Sequence, residues 1–122
     1  MRLILASLVL VALLLQTEAC NHVGEAMGGA MDMIDAYQDM HQADYVGADK
    51  YFHARGNRDA ASRGPGGRWA AEKISDAKEW FDQIRGDPAA DSEMDQEANR
   101  LGRDGGDISV LLPPGMDEPT DD

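Results

Sequence analysis

Arg63-Gly64-Pro65-Gly66-Gly67 interrupts the chain near its middle and limits the fold more than any other stretch. Pro65 biases Gly64 away from the helical region, and glycine tolerates positive φ, so the backbone must turn here. On both sides of the turn, apolar residues recur every three or four positions. Helical periodicity flanking a forced turn predicts packed helices rather than a sheet.

Before the turn, Val23, Met27, Ala30, Met31, Ile34, Tyr37 and His41 form one stripe of an amphipathic helix, with Glu25, Asp32, Asp35 and Asp39 mostly off it. Gly28-Gly29 is a soft point, because each glycine costs about 1 kcal/mol relative to alanine in a helix interior. The first turns are therefore expected to fray or bend. Gly47 breaks the pattern, and Asp49 is expected to cap a second helix that passes through Tyr51, Phe52, Arg55, Asp59 and Ala60 and stops before Gly64. After the turn, a third helix is expected over about residues 68–85, with Ala70, Ile74, Ala77, Phe81 and Ile84 on one face and Trp69 and Trp80 beside it. Gly86 suits the position just past its end, and Asp87-Pro88 suits the cap and opening of a fourth helix that carries Met94, Ala98 and Leu101 and ends at Gly102.

The expected fold is therefore all-α: a small four-helix bundle with an irregular C-terminal tail wrapped over the helices. That tail is rich in Gly, Pro and Asp. Its apolar patch, Ile108 to Leu112, is placed to pin it across the bundle, ahead of a disordered acidic end. Bulky apolar residues are few, so the core is thin. The Met and aromatic stripes are expected to fill it; the alternative is that part of the stripe is exposed and binds lipid or another subunit.

Met1-Arg2 and the apolar run from Leu3 to Leu15, broken only by Ser7, have the form of a secretory signal peptide and are too short to span a bilayer. Thr17 and Ala19 suit a cut before Cys20, and a cut after Cys20 is the alternative. The expected organisation is a signal peptide over 1–19, a helical domain over 20–106 and an acidic, partly disordered tail over 107–122. The protein is expected to be secreted. Cys20 is the only cysteine, so no disulfide within the chain staples the fold.

The formal net charge of −12 is unevenly distributed. Residues 21–49 hold six acids and no Lys or Arg, residues 50–85 hold eight bases against five acids, and residues 87–122 hold eleven acids against two bases. The basic middle gathers Lys50, Arg55, Arg58, Arg63 and Arg68 near Tyr51, Phe52 and Trp69. Flanking acidity argues against nucleic acid, and pairing with acids of neighbouring helices is the favoured reading; among polyanions, a sulfated glycan needs only a local basic cluster. No phosphate loop is present, because Gly67 is followed by Arg68-Trp69 rather than Lys-Ser/Thr. His22, His41 and His53 show no metal-ligand spacing, and no catalytic constellation stands out. No enzyme activity, metal or cofactor is expected.

One block is specific enough to place the chain in a family. "GADKYFHARGNRDAASRGPGGRWAAEKISDAKE" closely resembles the signature of serum amyloid A, the secreted acute-phase apolipoproteins of vertebrates, and the resemblance extends over about residues 24–106. It implies a four-helix bundle with a wrapped tail. It also implies binding to high-density lipoprotein, to small lipids including retinol and to heparan sulfate, together with self-association into homo-oligomers and a tendency to amyloid; the alternative expectation is an extracellular innate-immune interaction protein that acts on cell-surface receptors or microbial surfaces through charge. Lipid binding would fall to the apolar faces of the first and third helices, here Val23, Met27, Met31 and Ile34 with Trp69, Ile74, Ala77 and Phe81. Arg63 and Arg68 are the nearest glycan candidates. Only Asn21-His22-Val23 precedes the matched Gly24-Glu25-Ala26, so the Phe-rich start usual in the family is missing.

Overall fold

A computed structural model describes residues 1–119. They form α1 (Arg2–Ala43), α2 (Asp49–Ser62), α3 (Pro65–Ile84) and α4 (Ala89–Arg103), followed by a short 3-10 turn over Ile108–Leu111. Met33, Ala60 and Ala71 pack together from the first three helices, and Ala54 of α2 meets Gly102 of α4. Among the described residues α2 and α3 touch every other helix, while α1 and α4 occupy opposite corners and do not meet. This is the expected four-helix bundle. Its directions follow from the pairings: Arg55 reaches back to Asp39 and Ala60 to Gly29, so α2 runs against α1, whereas Gly67 lies beside Gly29 and Ala71 beside Met33, so α3 runs along it.

Several element boundaries differ from expectation for local reasons. α1 does not begin at Val23 but runs on unbroken through the apolar leader, whose residues are all exposed. Asp49 is the first residue of α2 rather than its cap; Ala48 holds that position. α3 starts at Pro65 instead of Arg68, because a proline at the first helical position has no amide hydrogen to leave unpaired. Gly64, at φ 125°, takes the whole turn. Since Gly64 has no side chain to cap α3, a carboxylate from another helix does so: Glu25 Oε2 accepts from the Gly66 amide at 2.8 Å. The end of α3 is as expected, with Gly86 at φ 93° and the Gly86 and Asp87 amides donating to Gln83 and Asp82 carbonyls at 3.0 Å. Pro88, and not Asp87, stands at the cap of α4, which continues one residue past Gly102 to Arg103.

The core overturns the expectation that the bulky stripes are buried. On α1 the residues turned inward are Gly29, Met33 and Ala36, and on α3 they are Gly66, Gly67, Ala70, Ala71, Ser75, Glu79 and Asp82. Val23, Met27, Met31 and Ile34 face outward, as do Trp69, Ala77, Trp80, Phe81 and Ile84; Ile74 is half-buried. Small residues bring the helix axes close, which excludes large side chains from between them. Gly29 thus serves as a contact point rather than a weak one, and Gly102 is a second such contact. A Cβ at Gly29 would lie 2.8 Å from the Gly67 Cα, and one at Gly102 would lie 2.0 Å from the Ala54 carbonyl oxygen.

Two clusters complete the interior. Tyr51, Phe52, Ala54 and Ala98 pack with Ile108 from the tail, covered by half-buried Met40, Leu111, Leu112 and Met116. The apolar patch therefore anchors the tail on α2 and α4, and the Tyr45 hydroxyl donates to the Pro114 carbonyl at 2.8 Å. The acidic end expected to be disordered finishes in Thr120–Asp122, outside the described residues. The second interior feature is polar. Asn57, fully buried, donates to the His53 carbonyl at 2.8 Å and to Asn99 Oδ1 at 3.0 Å, and its own Oδ1 accepts from Arg103 at 2.8 Å and from the Ser75 hydroxyl at 3.3 Å.

Candidate functional site

Parallel packing of α1 on α3 leaves a groove of about 530 Å³ along their outer seam. Val23, Met27 and Ala30 form one wall and Trp69, Ala70 and Ile74 the other, with His22 and Lys73 also lining it. The groove exists because the glycine and alanine face of each helix goes inward, so the bulky face of each is displaced to the same edge of the seam. Val23, Met27 and Trp69 are each more than half exposed. Of the eight residues expected to contact lipid, Val23, Met27, Trp69 and Ile74 meet in this groove. Met31 and Ile34 continue the same stripe of α1, and Ala77 and Phe81 that of α3, without lining it. Trp80 and Ile84, expected on or beside the apolar face of α3, are as exposed as Phe81, and Trp80 stacks edge-on against Phe81 with centroids 5.8 Å apart. Lys73 was missed, because a charged residue within an apolar face reads as an interruption. Its stem can cover apolar surface while the ammonium stays in water.

The basic stretch is paired throughout. Arg63 reaches Asp32 of α1 through two nitrogens, with Nη2 donating to Oδ1 at 3.0 Å. Arg68 donates to the Arg103 carbonyl and to Asp104 Oδ1, both at 2.7 Å. This holds the Asp104 carboxyl below the usual range. Lys50 bridges Asp49 and Asp95, Arg55 pairs with Asp39 and lies over the Phe52 ring, and Arg58 pairs with Asp59. The two glycan candidates sit at α2's end and in α3's first turn, and each keeps 47 % of its side chain exposed.

A third arrangement was not legible in the sequence. His53 of α2, Glu79 of α3 and Asp95 of α4 converge in the interior, all buried. Burial lowers the His53 pKa and raises that of Glu79, since both charged forms lose water. It also raises that of Tyr37, which stands edge-on to His53 at 5.6 Å. Residues 26 and 42 positions from His53 in the chain have no spacing signal to offer.

The family model for serum amyloid A protein matches residues 20–120. The chain belongs to the serum amyloid A family. It is 56 % identical over 101 residues to a serum amyloid A protein of Anas platyrhynchos, covering 82 % of this chain and 80 % of that one. It is 55 % identical over 98 residues to serum amyloid A-1 protein of Homo sapiens, covering 80 % of each chain. Serum amyloid A-2 protein of Mus musculus shares 57 % over 96 residues, 79 % of each. The matched span takes in all of α2, α3, α4 and the 3-10 turn but begins near the middle of α1. The family match therefore covers the packed bundle, while residues 1–19 lie outside it.

Proposed function

We propose that the chain is a secreted, non-catalytic, apolipoprotein-like acute-phase protein that associates with high-density lipoprotein and small lipids such as retinol through the outer faces of α1 and α3. The observation that carries this reading is the apolar groove bounded by Val23, Met27, Trp69 and Ile74, continued by exposed Met31, Ile34 and Phe81. Its size is that of small-molecule sites, roughly 300–1,000 Å³, and a contiguous apolar face of this kind is costly unless something covers it. Residues 1–19 act as the signal peptide, with the cut before or after Cys20, so the groove lies next to the new N-terminus. The same face supports homo-oligomers in the absence of lipid.

Each large apolar side chain moved from water into lipid contributes about 1.5–3 kcal/mol. Met27→Asp combined with Trp69→Ala is therefore expected to weaken binding to phosphatidylcholine vesicles by about tenfold or more, measured by co-flotation. Both residues are exposed, so the variant should unfold at nearly the same urea concentration as the parent. Unchanged vesicle affinity would remove the groove from the function.

A second reading, an extracellular interaction protein that engages heparan sulfate, cell-surface receptors or microbial surfaces, rests on the half-exposed guanidinium groups of Arg63 and Arg68. A sulfate could share them with Asp32 and Asp104 at the surface, where solvent screens such ion pairs. Arg63→Glu with Arg68→Glu should abolish retention on heparin at physiological salt while leaving vesicle binding intact. Retention of the double variant would exclude these two residues as the glycan site.

A further inference from the structure

The interior cluster of His53, Glu79 and Asp95 lies away from the apolar groove and plays no part in the lipid reading. Its ligand atoms, one ring nitrogen and two carboxylate oxygens, all lie within 4.8 Å of one another. The residues are 4 %, 4 % and 8 % exposed. Both carboxylate oxygens of Glu79 are sealed from solvent and lack a well-formed hydrogen bond; the Ser92 hydroxyl and the Asp95 carboxyl are their polar neighbours, and neither supplies a counter-charge. Desolvating an ionised carboxylate without a donor or counter-charge is expensive, and native interiors leave few such groups. Neighbouring cations do not satisfy Glu79: Lys50 is held by Asp49 and Asp95, and Lys78 is drawn to Asp82 at 2.6 Å.

We propose that His53, Glu79 and Asp95 form a binding site for one divalent transition-metal ion of the zinc class. The donor set decides the class. One imidazole nitrogen with two carboxylates suits Zn2+ or Co2+, whereas Ca2+ and Mg2+ call for oxygen shells of six or more ligands. Tetrahedral ligands at about 2.0–2.2 Å from the ion sit about 3.4 Å apart, so the three groups must close by about an ångström. Glu79 has no well-formed hydrogen bond to give up in closing. The fourth position is left to a water. The ion's charge offsets that of the two carboxylates, and Lys50, which already donates to Asp49 at 3.0 Å, has somewhere to go when Asp95 turns to the metal. The way in is a polar groove of about 350 Å³ between α3 and α4, bordered by Glu79, Ser92, Gln83 and Gln96.

The test uses the secreted chain recovered from culture medium and freed of metal by chelation. Titration with Zn2+ should give one bound ion per chain and raise the thermal midpoint by about 5 °C or more at saturation, and Co2+ should give the visible bands of a low-coordinate site. Glu79→Gln has nearly the same shape and removes an unpaired buried charge, so it should fold at least as well without metal. It should lose at least tenfold in Zn2+ affinity together with the thermal shift, as should His53→Gln where it folds. Combined His22→Ala and His41→Ala, at exposed histidines, should change neither. No thermal shift in the parent, or an equal shift in Glu79→Gln, would overturn the assignment.

Discussion

Gly102→Ala is expected to destabilise the protein by about 3 kcal/mol or more, read as a fall in the urea midpoint with the slope of the transition unchanged. A Cβ there would lie 2.0 Å from the Ala54 carbonyl oxygen, 2.8 Å from its carbonyl carbon and 3.0 Å from its Cα, all of them backbone atoms of α2. A flexible side chain can move aside, but the backbone of a packed helix cannot do so without separating α4 from α2. That separation would also pull at the polar network around Asn57 and at the seat of Ile108. Against a total of about 5–15 kcal/mol for a domain of this size, the loss leaves little reserve. Gly24→Ala supplies the contrast, because that position is helical with open space around it, and alanine there should be neutral or stabilise by up to about 1 kcal/mol. Equal effects of the two substitutions would show that helix propensity, rather than close backbone approach, governs these glycines.

The second large effect is expected at Asn57. Its side chain joins α2, α3 and α4 through the Ser75 hydroxyl, Asn99 and Arg103. Asn57→Ala removes the group that accepts from the Arg103 guanidinium, which burial already makes less favourable to charge, and it leaves the Asn99 and Ser75 side chains without that partner. Each stranded buried group costs about 1–3 kcal/mol, so a total of about 2–4 kcal/mol is expected from chemical denaturation. Arg58→Ala on the same helix removes only a partly exposed pair with Asp59 and should cost less than about 1 kcal/mol. A loss at Asn57 no greater than that at Arg58 would mean that water replaces the missing amide. Neither prediction depends on ligand, so they test the bundle separately from its proposed functions.

How much of this was legible in the residues varies by element. The turn at Gly64-Pro65 and the stop at Gly86 were readable because they depend on the φ preferences of single residues. The anchoring of the tail by Ile108 was readable because one apolar patch stands in a polar stretch. The inward face of α1 was misread. Met27, Met31 and Ile34 are the more hydrophobic choice for a core, whereas Gly29, Met33 and Ala36 are the better fit to a helix packed at close range. Hydropathy ranks residues by transfer free energy. It carries no information about how near a neighbouring helix can come.

The same limit explains the paired arginines. Their abundance between Lys50 and Arg68 was visible, and so was the acidity on either side, but the partner of Arg63 lies 31 positions away on α1 and that of Arg68 lies 36 positions away beyond α4. His53, Glu79 and Asp95 present the extreme case, since three helices contribute one ligand atom each.

Local chemistry thus determined the number of helices, their approximate ends, the apolar leader and, through the Lys50 to Asp76 signature, the family. Tertiary structure alone decided which face of each helix is the core, which charges neutralise one another and where a carboxylate is buried without a counter-charge. Periodicity places residues on a common face of one helix; only the distance between helices, set here by glycine and alanine, determines whether that face turns inward or is left for a ligand.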